Sequence, residues 1–152
     1  MEETRFPPSP FDLLLGTEWV SSEPEDTRAR IGMRDELRQP MGILHGGVMA
    51  SLVESVCSMS TAKAVFADNR VAMGQNISVN FLRPISAGGM EVRAEAIHRG
   101  RMTWVWRAQV LDSDGRTCAV AQMTIAVRDA PEGVDLEALA SGDLRDQDGA
   151  GR

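Results

Sequence analysis

The chain has no tyrosine, one lysine (Lys63), two histidines (His45 and His98) and two cysteines (Cys57 and Cys118) among its 152 residues. Each shortage removes a chemistry. Without tyrosine there is no phenolic acid or base. A single lysine inside an apolar segment leaves a Schiff-base mechanism one poorly placed candidate. Two cysteines cannot build a disulfide framework, and their usage fits a reducing compartment. Two histidines and two cysteines in no ligand-spaced cluster argue against a zinc site. The chain also lacks a G-x-S-x-G nucleophile elbow, a P-loop and a strand-anchored G-x-G-x-x-G. Its longest apolar-rich segment, 46–67, contains Glu54 and Lys63, so no membrane span is expected. The start, MEETRFPPSP, has no apolar stretch of signal-peptide type, which predicts a soluble, cytoplasmic protein.

The length suits one domain of about 100–200 residues. The formal charge of -6 argues against nucleic acid as a partner. That charge is unevenly placed: residues 1–69 hold 11 acids against 6 bases, residues 70–128 hold 4 against 8, and residues 129–152 hold 7 against 2. The middle of the chain is basic within an acidic whole, and it can meet a small anionic ligand.

Residues 1–10 read as a flexible arm, 11–128 as the folded domain and 129–152 as an acidic, disordered tail. Segments 16–22 and 27–33 read as strands around a turn at 22–26. One long helix is expected over 46–67, where Val48, Met49, Leu52, Val53, Val56, Met59 and Val65 recur at 3–4-residue spacing. The residues between them are nearly all small, which marks a helix buried on most sides. Segments 71–82, 90–98, 103–112 and 117–128 read as four strands in a meander, with a hairpin signal at Asp114-Gly115. The class is therefore α+β: an antiparallel sheet of about six strands wrapped around one long central helix.

The chemistry that remains lies around that helix. Gln39 precedes Leu44-His45-Gly46-Gly47, and Glu54 and Ser58 follow within the helix. Paired glycines at a helix start let a ligand approach the backbone, and the first N–H groups carry the positive end of the dipole. Such a donor stabilises a carbonyl oxygen that gains negative charge. A carboxylate on a small-residue helix face is costly unless it is paired or faces a cleft. Singly, the glycines can be a packing point, Glu54 a salt-bridged carboxylate and His45 a loop cap. In this order, ahead of an apolar helix, they are stronger evidence together.

At these residues the chain resembles a family. Leu44-His45-Gly46-Gly47 with Glu54 beyond it, and Phe81-Leu82-Arg83-Pro84 ending a strand, resemble the hotdog-fold acyl-CoA thioesterases of the phenylacetate-pathway type. Within them the chain is most similar to the 4-hydroxybenzoyl-CoA thioesterases of soil bacteria, over roughly residues 12–128. Further matching stretches are Val71-Ala72-Met73-Gly74-Gln75, Thr103-Trp104 and Cys118-Ala119-Val120.

The resemblance implies a homotetramer of hotdog dimers with the active site built between two subunits. It implies Glu54 as the catalytic carboxylate, the Gly46 N–H as the group that polarises the thioester carbonyl, and supporting roles for Gln39, His45 and Ser58. It implies coenzyme A contacts from Gly47, Arg83 and Arg128. Arg101 stands where the relatives have a small hydroxyl residue, and as a charged donor it suits a phosphate. Coenzyme A is part of the substrate, so no cofactor is expected, nor a nucleic-acid or membrane partner. Glu54 as nucleophile and Glu54 as general base both remain open. So do a dihydroxynaphthoyl-CoA or fatty acyl-CoA substrate and a non-catalytic acyl-CoA binding module. A hotdog dehydratase fits the His45–Glu54 spacing less well.

Overall fold

Ser9 starts the first helix of the computed structural model, which describes residues 6–141. Its hydroxyl accepts from the Asp12 N–H while the Asp12 carboxylate accepts from the Ser9 backbone, a capping box that fixes α1 (Pro10–Leu15). Gly16, at φ 70°, ends it. Strands β1 (Glu18–Glu23) and β2 (Asp26–Gly32) form the expected hairpin around Pro24 and Glu25. A single 3-10 turn at Asp35–Leu37 follows, then α2 (Gly46–Val65). This helix runs on through a 3-10 turn at Phe66–Asp68 and stops at Asn69, which adopts the left-handed conformation at φ 54°. Strands β3 (Arg70–Phe81), β4 (Gly89–Arg99), β5 (Thr103–Asp112) and β6 (Thr117–Asp129) complete the sheet, and α3 (Leu136–Ser141) lies beyond it.

All six strands pair antiparallel in the order β1-β2-β4-β5-β6-β3. This is the hotdog architecture the resemblance implies, a single sheet around one long helix. The four-strand meander is corrected in one place. Only β4, β5 and β6 follow one another as hairpins, whereas β3 sits at the far edge against β6. The link over 82–88 is too long and too proline-bent at Pro84 for a tight turn. It carries the chain back across the sheet to place β4 beside β2. The expected arm over 1–10 and tail over 129–152 fall partly on residues 1–5 and 142–152, outside the described residues. Among the described residues no helix is long and apolar enough to cross a membrane.

The small side chains of α2 let the sheet approach closely and put its polar atoms within reach of strand residues. Ser60 and Thr61 are buried, yet both are satisfied. Thr27 donates to Ser60 at 3.0 Å, and the fully buried Trp106 indole donates to Thr61 at 2.9 Å. Thr61 in turn donates to the Cys57 carbonyl at 2.8 Å. Thr61→Val keeps the shape but strands the Trp106 N–H in the core. Urea unfolding is expected to show a loss of about 1–3 kcal/mol.

Candidate active site

The loop before α2 is stitched to itself and to the β3–β4 link. Leu44 N–H donates to the Ile85 carbonyl at 2.8 Å, and His45 N–H to the Leu37 carbonyl at 2.9 Å. Arg38 reaches the carbonyls of Gly42 and Ser86. Gln39 lies inside this frame, its side-chain oxygen accepting from the Met41 N–H at 2.7 Å. His45 is the N-cap of α2, and its Nδ1 accepts from the Gly47 N–H at 2.9 Å. Gly46, the first helical residue, keeps a backbone N–H with no partner among the described residues. Gly46 lines a cleft of about 500 Å³ together with Gln39, Met49, Phe81, Leu82 and Arg83.

Glu54 is half-buried on α2, and the Ser58 hydroxyl one turn later donates to its Oε1 at 2.8 Å. Strand β3 passes over this pair at Gly74. A Cβ there would lie 3.3 Å from Glu54 Oε1 and 2.7 Å from the Met123 methyl. The β3–β6 register slips between Gly74 and Asn76, so the strand is bulged where it crosses the carboxylate. Gly74 holds this space open, and it was not among the expected site residues. Its signal in the sequence is a lone glycine within a strand, which marks a bulge or a close backbone approach. Gly74→Ala is expected to displace Glu54 and lower kcat about tenfold in a thioester hydrolysis assay.

Neither cysteine competes as a nucleophile. Burial, with the Glu54 charge beside it, pushes the Cys57 thiol far up, and burial near Asp112 also raises Cys118.

The arginines sort themselves by their partners. Of the eight in residues 70–128, Arg70, Arg93, Arg99, Arg107 and Arg116 form salt bridges with carboxylates. Arg83, Arg101 and Arg128 form none among the described residues, so these three retain charge for an anion. They do not converge within one chain. Arg128 donates to the Met102 carbonyl at 2.8 Å, beside the exposed Arg101, at the end of β6. Arg83 N–H donates to the Cys118 carbonyl near the start of β6. Cys118 and Arg128 are ten residues apart along the strand, which puts about 33 Å between the two ends.

The reacting groups are divided in the same way. Gly46 and Glu54 lie eight residues apart on one helix, a separation of about 12 Å. Gln39, Gly46 and Arg83 line one cleft at the start of α2, Glu54 and Ser58 sit mid-helix against Gly74, and Arg128 lies beside Met102 at the end of β6.

A family model described as the thioesterase superfamily matches residues 41–119. The chain is 34% identical over 114 residues to the 1,4-dihydroxy-2-naphthoyl-CoA hydrolase of Listeria monocytogenes, a match covering 75% of this chain and 92% of that one. It is 29% identical over 113 residues to a proofreading thioesterase of Cronobacter turicensis, covering 74% and 90%. Among solved structures, a thioesterase of Haemophilus influenzae superposes with a TM-score of 0.76 at 27% identity, covering 82% of this chain and 87% of that one.

Proposed function

We propose that this chain, which belongs to the thioesterase superfamily and is a thioester hydrolase, cleaves an aromatic acyl-CoA of the 4-hydroxybenzoyl-CoA kind to the free acid and coenzyme A. The observation that carries this reading is the combination of Gly46, which lines a largely apolar cleft and whose N–H has no partner among the described residues, with a Glu54 carboxylate held by Ser58. The hydroxynaphthoyl-CoA hydrolase among the relatives also acts on an aromatic acyl group, which supports the class.

The thioester carbonyl oxygen accepts the Gly46 N–H, at the positive end of α2, and gains charge there as the carbon becomes tetrahedral. Glu54 either attacks that carbon, giving a mixed anhydride, or removes a proton from the water that attacks it. The C–S bond breaks and coenzyme A leaves as thiolate; in the first route a water then opens the anhydride and restores Glu54, and in both the acyl group ends as carboxylate. Ser58 orients the carboxylate oxygen for either role. No step requires a metal or a cofactor.

Two residues about 12 Å apart along one helix do not bring their donor and carboxylate to the same carbon. The reading therefore includes a second copy of the chain, whose Glu54 faces this copy's Gly46 across a two-fold axis. The same axis carries Arg101 and Arg128 of one copy toward Arg83 of the other, where the phosphates of coenzyme A lie. Two such dimers make the homotetramer. Thiol release from 4-hydroxybenzoyl-CoA, 1,4-dihydroxy-2-naphthoyl-CoA and hexanoyl-CoA tests the substrate. A higher kcat/KM on the aromatic thioesters is expected, and a preference for the hexanoyl chain sinks this reading.

A further inference from the structure

Phe81 is the last residue of β3 and stays 56% exposed, although the chain is only 5% aromatic. Its backbone is pinned: it pairs with Ala119, and the next two N–H groups, of Leu82 and Arg83, both donate to the Cys118 carbonyl at 2.8 and 3.0 Å. Its ring lies against Gly46, with Cε1 and Cζ 3.1 Å from where a Cβ on that glycine would stand. A side chain at residue 46 would make the ring give by a few tenths of an ångström. Phe81 and Gly46 line the same cleft.

We propose that Phe81 is a specificity-determining residue, the face on which an aromatic acyl group stacks. This deepens the proposed function and rests on the assignment of Gly46 as the carbonyl donor. An aromatic acyl ring is bonded directly to the carbonyl carbon, so an oxygen held at Gly46 N–H places that ring within a few ångströms of Phe81. Offset or edge-on packing of two rings at 4.5–7 Å between centroids adds a gain beyond the area buried. A linear acyl chain loses the area term alone when the ring is removed.

The test is the ratio of kcat/KM for 4-hydroxybenzoyl-CoA to that for hexanoyl-CoA in the wild type, Phe81→Leu and Phe81→Trp. Leucine is expected to lower the ratio about three- to tenfold, and tryptophan to keep or raise it. An unchanged ratio in Phe81→Leu, or a ratio that tryptophan fails to retain, overturns the proposal. The wild-type ratio taken alone judges the aromatic reading of the substrate. The shift between variants judges Phe81, whichever thioester the wild type prefers.

Discussion

Replacing Glu54 by alanine is expected to lower thioester hydrolysis by about three orders of magnitude or more. The carboxylate has one hydrogen-bond donor, Ser58, and forms no salt bridge among the described residues. Nothing in the core depends on its charge, and truncation leaves a half-buried site rather than a sealed cavity. Circular dichroism and urea unfolding should therefore match the wild type while thiol release nearly vanishes. Retention of wild-type rates across a panel of acyl-CoA thioesters would remove Glu54 from the mechanism. Single turnover of the wild type in oxygen-18 water separates its two possible roles. An anhydride opened at its glutamyl carbon leaves label in Glu54, whereas general-base catalysis leaves it only in the released acid.

The helix and the individual strands were legible because their signals are local. Apolar residues at 3–4 spacing over 46–67 become α2, and the four later strands lie within a residue or two of their expected bounds. Strand order was not legible. Whether β3 pairs with β4 or with β6 depends on contacts across the sheet, and hairpin-length reasoning placed it beside its neighbour in sequence. The candidate site divides along the same line. His45, Gly46 and Glu54 announce themselves through residue type and position on one helix. The contacts of Gly74 with Glu54 and of Phe81 with Gly46 join β3 to α2, and no local pattern encodes them. The basic middle segment was legible as a net charge. Which arginines lack a carboxylate partner among the described residues became clear only from the fold. Arg70, Arg99 and Arg107 find theirs on segments distant in sequence, while Arg93 and Arg116 pair within four residues.

Gly46→Pro isolates the oxyanion donor, and turnover is expected to fall about a hundred- to a thousandfold. Proline is tolerated at the first position of a helix, where the N–H makes no helical hydrogen bond. His45 already has φ -65° and ψ 131°, the extended conformation that a residue before proline adopts. The substitution thus deletes the N–H without breaking α2. It also adds side-chain atoms against the Phe81 ring, so Gly46→Ala is the necessary companion. Alanine brings the same Cβ, 3.1 Å from that ring, but keeps the donor. With the donor assigned correctly, alanine costs less than about tenfold, and proline costs the full oxyanion loss in kcat with a smaller change in KM. Thermal midpoints of the two variants should agree within a few degrees. Equal losses in both would make crowding at Phe81 the cause and take the oxyanion role away from the Gly46 N–H.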